Sequence, residues 1–101
     1  MYFKMCNVQI LKSTRKQKKF MAVFTDCKDD TKKITHFGAS GYSDYTIHKN
    51  KERKQRYLNR HRKNENWEDP FSAGALSRWI LWNKTGLRSS ISDYKTKFCF
   101  E

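Results

Sequence analysis

The segment that most constrains the fold of this 101-residue chain begins at its single proline, Pro70. Eight apolar residues that follow would cover nearly the whole circumference of a helix: Phe71, Ala73, Ala75, Leu76, Trp79, Ile80, Leu81 and Trp82. Asp69 can cap such a helix, and proline fits its first turn because no hydrogen-bond donor is needed there. We therefore expect a central buried helix from Pro70 to about Asn83, with Trp79 and Trp82 in the core.

The N-terminal part of the chain alternates apolar and polar residues with a period of two, which is typical of β-strands. The alternation is clearest at Val8 and Ile10 and returns at Ile34. Polar turns are expected at residues 14–18 and 26–31, so the strands should pair as a small antiparallel sheet. Three segments are the predicted strands: residues 7–13, 20–24 and 33–37.

Two further helices are expected beyond Gly38 and Gly41, which break the strand pattern at a connection that needs positive φ. One helix lies within residues 43–63, and its start is open between a Ser43 cap and an Asn50 cap. The other is amphipathic, because four apolar residues follow at helical spacing: Leu87, Ile91, Tyr94 and Phe98.

These elements predict an α+β fold, with a small N-terminal antiparallel sheet covered by about three C-terminal helices. We expect a single basic domain over residues 1–101, mainly strands in 1–42 and mainly helices in 43–101. A three-stranded sheet of this size is marginal alone, so the helices have to cover one of its faces.

The net charge of the chain narrows the range of functions that we expect for it. The chain has 22 Lys and Arg against 10 Asp and Glu, a formal net charge of +12. Such an excess repels itself in a compact state and is offset by a polyanion, most commonly nucleic acid. No apolar run approaches the ~18 residues of a spanning helix, and no signal peptide or N-terminal acylation motif is present. We therefore expect an intracellular protein with no membrane partner.

The three cysteines, Cys6, Cys27 and Cys99, show no close-paired spacing. Disulfide frameworks and zinc ribbons bring cysteines in even numbers or in short-spaced pairs. We therefore expect buried or half-exposed thiols in a reducing compartment. A zinc site formed by the three cysteines and His36 is the alternative, but it is disfavoured because the cysteines are not in short-spaced pairs.

Residues 49–63 carry the main functional signal, with eight basic residues and one acid, Glu52. Leu58 and His61, with Ile47 if the helix starts early, would rest on the core opposite the cations. Like charges on one helix face cost about 0.2–0.5 kcal/mol per pair, so the cations are expected to bind phosphates, with a solvated charged face as the alternative. Five of them fall within a stripe of roughly 80° on a helical wheel: Lys49, Arg53, Arg56, Arg60 and Lys63.

A second basic cluster occupies the predicted hairpin turn: Lys12, Arg15, Lys16, Lys18 and Lys19. We expect this turn to bind the phosphate backbone beside the helix through Arg15, Lys16 and Lys18. The alternative is a turn that increases solubility and protects an edge strand. Three tyrosines lie near the basic segment, and we expect them in the core rather than stacked on bases: Tyr42, Tyr45 and Tyr57.

No catalytic site is predicted. Asp44, His48 and Glu52 would share one stripe of a helix that began at Ser43, and that spacing could hold a metal ion for a nuclease. However, the sequence contains no zinc-protease motif, P-loop or nucleophile elbow. We expect no enzyme activity, no metal and no cofactor.

Residues 36–84, which begin HFGASGYSDY and end LSRWILWNK, and the segment LRSSISDYKTKF at 87–98 resemble a family of small basic proteins. These are encoded by giant and other large DNA viruses, the nucleocytoplasmic large DNA viruses, and the similarity extends over residues 19–98. The resemblance implies a viral origin and a place in the virion or in the viral factory of the host cell. The family is uncharacterised, so the resemblance carries over no catalytic residue and no ligand.

The sequence therefore predicts a protein that binds nucleic acid without sequence specificity and packages or condenses viral DNA. Double-stranded DNA is expected ahead of RNA. The alternative is a virion structural or adaptor protein whose basic face docks on acidic protein surfaces. The oligomeric state is left open.

Overall fold

A three-stranded sheet forms the N-terminal part of the protein in the computed structural model, which describes residues 6–27 and 32–100. The strands are β1 (Asn7–Lys12), β2 (Lys18–Thr25) and β3 (Lys33–Ala39), antiparallel and in that order. The predicted sheet is confirmed. The second predicted turn lies partly at residues 28–31, outside the described residues.

One face of the sheet is apolar, because cross-strand partners share a face. Val8 pairs with Phe24, and Phe20 pairs with Phe37. Val8, Phe24 and Phe37 are buried, whereas Ile34, on the opposite face, is 50% exposed. The helices therefore have one apolar sheet face to cover.

The helix predicted within residues 43–63 is in fact two helices, α1 (Tyr45–His48) and α2 (Lys51–His61). Asp44, rather than Ser43, caps α1, and its side chain accepts a hydrogen bond from the Thr46 N–H at 2.9 Å. The chain breaks between the helices at Lys49, where φ is 55°. A left-handed residue of this kind ends a helix, so a second cap is needed for α2.

The central helix combines two geometries. α3 (Ala73–Leu76) is capped by Ser72, whose side chain accepts a hydrogen bond from the Ala75 N–H at 3.1 Å. A π-helical turn (Ser77–Leu81) continues it, and the Trp82 N–H donates to the carbonyl of the turn's first residue at 3.0 Å. This five-residue spacing adds one residue to the turn relative to an α-helix.

The predicted helix start at Pro70 is wrong. The Asp69 side chain accepts a hydrogen bond from the Phe71 N–H at 3.1 Å and holds these residues in a local turn, which is how Asp competes with helix formation. Pro70 is buried, and its carbonyl accepts a hydrogen bond from the Tyr94 hydroxyl at 2.6 Å. Asp69 and Pro70, which predicted a helix start, therefore form a turn that is hydrogen-bonded to the last helix through Tyr94.

That last helix is confirmed as α4 (Leu87–Lys97). Tyr94 is fully buried on it, with its ring centroid 5.3 Å from Phe98 and 5.4 Å from Phe100. Phe100 in turn lies 5.4 Å from Phe24 on the sheet. The C-terminal segment thus closes the core against the strands.

The core lies between the apolar sheet face and the central helix. Ile80 is buried there as predicted, but Trp79 and Trp82 are only partly buried at its edge, so their predicted core placement is wrong. Long cations cover Trp79: Arg78 Cζ lies 4.2 Å and Lys97 Nζ 4.4 Å from its ring centroid. The fully buried side chains include Val8, Phe24, Phe37, Leu76, Ile80 and Tyr94.

Cys6 and Cys27 form a disulfide, so the prediction of free thiols is wrong for these two, while Cys99 is free. The sheet register brings the pair together. Asn7 is paired with Thr25, and the cysteines just beyond have Cα atoms 4.5 Å apart. That separation lies within the range that a disulfide spans.

The protein has the predicted α+β fold, with the sheet near the N-terminus and helices in the C-terminal half. In the part of the chain that the structure describes, no helix is long and apolar enough to cross a membrane. One of the helices, α2, also positions three of the basic residues singled out by the sequence: Arg53, Arg56 and Arg60.

Candidate nucleic-acid interface

α2 rests on the core through two residues and turns its arginines outward. Asn50 fixes its start, since Asn50 Oδ1 accepts hydrogen bonds from the N–H groups of Glu52 at 3.0 Å and Arg53 at 3.1 Å. Tyr57 and Leu58 are each 7% exposed and face the core. Three arginines of the predicted stripe are exposed on this helix: Arg53, Arg56 and Arg60.

The predicted five-residue stripe is not continuous, because it assumed one helix through residue 63. Lys49 lies before α2 in the left-handed conformation, and Lys63 lies in a turn after α2 has ended at His61. Both lysines are exposed. Ile47, expected on the core side, is instead 62% exposed. The helical part of the stripe is therefore the three arginines.

One cation of α2 points inward. Lys54 Nζ donates to the Asn83 carbonyl at 2.7 Å and lies 4.9 Å from the Tyr45 ring centroid. Burial lowers the pKa of Lys54 below its ordinary value. Lys54 therefore fastens α2 to the end of the central helix. On a helical wheel Lys54 lies between Tyr57 and Leu58, and this position could have predicted the inward contact.

The hairpin turn presents the second basic cluster. Arg15 and Lys16 are exposed in the turn, which is closed by a hydrogen bond from the Lys18 N–H to the Arg15 carbonyl at 3.2 Å. Lys19 is neutralised, because its Nζ lies 2.6 Å from Asp44 Oδ2. The turn thus offers Arg15, Lys16 and Lys18 to a ligand.

A cleft of about 440 Å³ lies between α2 and the adjoining ends of β2 and β3, and we call it the α2 cleft. A second cavity of about 800 Å³, the hairpin depression, adjoins it and is lined by Arg15 and Lys16. Lys18 lines both cavities. Of the other predicted contacts, Lys49, Arg56 and Lys63 line neither. The structure brings three predicted contacts around the α2 cleft: Lys18, Arg53 and Arg60.

The two carboxylates that line the α2 cleft already have partners. Asp44 is buried and forms its ion pair with Lys19. Glu65 accepts a hydrogen bond from the indole N–H of Trp67 at 3.0 Å and lies 3.1 Å from His61 Nδ1. Neither acid forms an ion pair within 4.0 Å with Lys18, Arg53 or Arg60.

These pairings leave three of the four Lys and Arg side chains that line the α2 cleft without a carboxylate partner among the described residues. Within residues 6–27 and 32–100, the ion pair of Lys19 with Asp44 is the one Lys or Arg contact to a carboxylate within 4.0 Å. Lys18, Arg53 and Arg60 thus have no carboxylate partner there. The lining carries four Lys or Arg side chains against the carboxylates of Asp44 and Glu65, so its net charge is positive and favours anions.

An aromatic stack forms one wall of the α2 cleft. The Tyr57 ring lies parallel to Trp82, with centroids 4.2 Å apart and 3° between planes, and its other face lies 4.2 Å from His61. Burial raises the pKa of Tyr57, so its hydroxyl stays protonated. Tyr45 is buried as well, but Tyr42 lines the cleft with 73% of its surface exposed. The predicted core placement is therefore wrong for Tyr42.

The alternative metal site at Asp44, His48 and Glu52 is not formed. The break at Lys49 places His48 on α1 and Glu52 on α2, and His48 Nδ1 accepts a hydrogen bond from the Asn50 N–H at 2.9 Å. Across the described residues, no group of three or more His, Cys, Asp or Glu side chains could hold a metal ion.

The region with both basic surfaces matches a known sequence family. The match is to a family of unknown function (DUF5754) and covers residues 8–61. It includes the sheet except Asn7, together with the hairpin turn and α2. Lys63 is the one predicted contact outside it. No curated protein and no solved structure matches the chain.

Proposed function

This chain belongs to DUF5754, a family of unknown function, and we propose from its geometry that it binds nucleic acid through the phosphates without reading the base sequence. One observation carries the proposal. The three cations around the α2 cleft and the two of the hairpin turn have no carboxylate partner among the described residues. A polyanion would neutralise both sets at once.

The spacing of these cations suits a phosphate backbone. Arg53 and Arg60 are seven residues apart on α2, which corresponds to about 10.5 Å along the helix. Phosphates along one DNA strand rise by about 3.4 Å each, so the two arginines can meet separate phosphates. The guanidinium group also binds phosphate oxygens in pairs, which an ammonium cannot do.

The polar side chains of α2 do not favour sequence readout. Asn and Gln are the residues that read adenine, through paired hydrogen bonds in the major groove. The two on α2 are hydrogen-bonded to each other, with Gln55 Nε2 donating to Asn59 Oδ1 at 3.0 Å. Contacts from cations to phosphates position a protein on DNA but carry no sequence information.

We infer that the polyanion is double-stranded DNA in a viral setting. The net charge of +12 suits a partner that has to be neutralised along its length. The resemblance of residues 36–84 to proteins of large DNA viruses supports packaging or condensation of a viral genome, in the virion or the viral factory. DNA is preferred to RNA on that resemblance alone.

Binding to labelled duplexes of about 20 base pairs and unrelated sequence tests this function. We expect affinities that agree within about tenfold and a log–log salt slope of roughly −4 to −6, for about five to six neutralised phosphates. A slope near zero, or a strong preference for one sequence, would contradict the proposal.

The hairpin depression supports a second candidate function, an adaptor that docks on an acidic protein surface. Its lining combines apolar Phe20, Ile47 and Leu87 with the cations Arg15 and Lys16. An acidic segment with an apolar anchor would complement both. Ile47→Ser should weaken binding of an acidic peptide with an apolar anchor and leave duplex binding intact, whereas peptide binding at wild-type affinity would contradict the adaptor candidate.

A further inference from the structure

The exposed ring of Tyr42 is the feature of the α2 cleft that phosphate binding leaves unexplained. It is 73% exposed, although an aromatic ring of this size is stabilised by burial. The turn that carries it is tied down: the Ser40 N–H donates to the Gln17 carbonyl at 2.8 Å, and Gly41 takes φ 88°. Tyr42 is therefore held at the cleft by the backbone rather than by packing of its own ring.

The cleft has the size of a site for one nucleotide. Sites for small molecules measure about 300–1,000 Å³, and the α2 cleft measures about 440 Å³. A duplex is too wide to enter a cleft of this volume. The faces of Tyr57 are already covered by Trp82 and His61, whereas Tyr42 in the same lining is 73% exposed and available to a ligand.

We propose that the α2 cleft binds one unpaired nucleotide of a DNA strand, with its phosphate among Lys18, Arg53 and Arg60 and its base stacked on Tyr42. This inference rests on the proposed function and adds a preference within it. A base can stack on a protein ring only after it has left its duplex, so the protein should favour overhangs and gaps over uninterrupted duplex. Stacking accepts any base, which agrees with the absence of sequence readout.

The test compares two labelled DNAs with equal numbers of phosphates, a blunt duplex and a duplex with a short single-stranded overhang. We expect the overhang to bind about 5- to 150-fold more tightly, the effect of one base stacked on an aromatic ring. With Tyr42→Ala the ratio of the two affinities should fall to about one, and Tyr42→Phe should restore it. Ile34→Ala removes an exposed apolar side chain that lines neither cavity, so it should keep the wild-type ratio.

A direct readout comes from 2-aminopurine placed in the overhang, because stacking quenches its fluorescence. The wild type should quench it and Tyr42→Ala should not. Binding of both DNAs with equal affinity and no quenching would overturn the nucleotide site while leaving the proposed function standing. If neither DNA binds, the proposed function itself fails.

Competition with deoxyadenosine monophosphate distinguishes a site for a nucleotide within a DNA strand from a site for a free nucleotide. If the mononucleotide reduces affinity for the overhang more than affinity for blunt duplex, which shares the phosphate contacts, the cleft is supported as the nucleotide site. If it binds the wild type tightly while the overhang preference is absent, the site serves free nucleotides and the assignment to a DNA strand is wrong.

Discussion

α2 and α4 are both eleven residues long, and they differ in how they use their side chains. α4 buries Tyr94 completely and satisfies its hydroxyl with the Pro70 carbonyl. α2 reaches the core mainly at Tyr57 and Leu58 and leaves its arginines to solvent. Burial of apolar surface stabilises a fold, whereas neighbouring like charges oppose it slightly. The comparison teaches that α4 contributes more to the main core than α2 does, while binding, under our proposal, depends on α2.

Removal of the Tyr94 side chain is the strongest test of the folding half of this comparison. Tyr94→Ala should lower the free energy of unfolding by about 3–5 kcal/mol, because it leaves a cavity and an unsatisfied Pro70 carbonyl. Tyr94→Phe loses only the hydroxyl and should cost about 1–3 kcal/mol. Urea denaturation measures both. A wild-type denaturation midpoint for Tyr94→Ala would contradict the central place given to α4.

The disulfide between Cys6 and Cys27 should also affect folding without affecting binding. It joins residues 21 positions apart, so its loss should lower the free energy of unfolding by about 3 kcal/mol. Thermal melting with and without dithiothreitol measures this, and the double variant Cys6→Ser, Cys27→Ser should melt like the reduced protein. Cys99→Ser is the control and should retain the effect of dithiothreitol. If the reductant leaves the melting temperature unchanged, the bridge does not stabilise the fold.

Matched charge variants test the binding half. Replacing Arg53, Arg56 and Arg60 together with Gln keeps good helix formers, so the fold should survive while the salt slope shrinks by about 2.7. Duplex affinity at low salt should fall on the order of tenfold or more. The control removes three cations from the end of the central helix and from α4: Lys84, Arg88 and Lys95.

The control variant should bind duplex DNA almost as the wild type does, because its three cations lie on neither α2 nor the hairpin turn. Equal losses in the two variants would indicate a diffuse effect of net charge and would remove the distinction between the helices. If the α2 variant binds normally, the arginines form only a solvated face.

The smallest expected effect is a pH dependence of stability from His48, at the joint before α2. Burial, with help from Arg53, lowers its pKa from the ordinary value of 6.5 despite the opposing charge of Asp44. Just below pH 6.5 the unfolded chain therefore binds more protons, so stability should decrease as the pH falls through this window. Denaturation at pH 7.5 and 5.5 should show a smaller difference for His48→Gln. Identical pH profiles would contradict this contribution.

Elements with a simple period could be predicted from the sequence, and the joints between them could not. The strands follow from alternation at Val8 and Ile10, and α4 follows from the helical spacing of Ile91 and Tyr94. The break at Lys49 has no such signal, because a lysine in the left-handed conformation is uncommon and is fixed by its surroundings. Of the two caps predicted for one helix, Asn50 caps α2, and Ser43 lies next to Asp44, the residue that caps α1.

The candidate site was predictable residue by residue but not as a surface. Arg53, Arg60 and Lys18 stand out as basic residues, yet the cleft that joins them depends on how α2 packs across the sheet. The disulfide likewise depends on the tertiary structure and could not be predicted from the spacing of the cysteines. Cys6 and Cys27 look unrelated along the chain and become neighbours only once the register of β1 and β2 is known.

The π-helical turn (Ser77–Leu81) has a consequence for how this sequence can change during evolution. It lengthens the central helix by one residue, and the next residue, Trp82, stacks on Tyr57 of α2. A π-turn absorbs one extra residue locally, so deleting one residue from it would restore α-helical geometry and leave Trp82 close to that ring. A deletion elsewhere in the helix would instead rotate Trp82 by about 100° and carry it away from the ring. Relatives that keep the stack should therefore vary in length within this helix only at the π-helical turn.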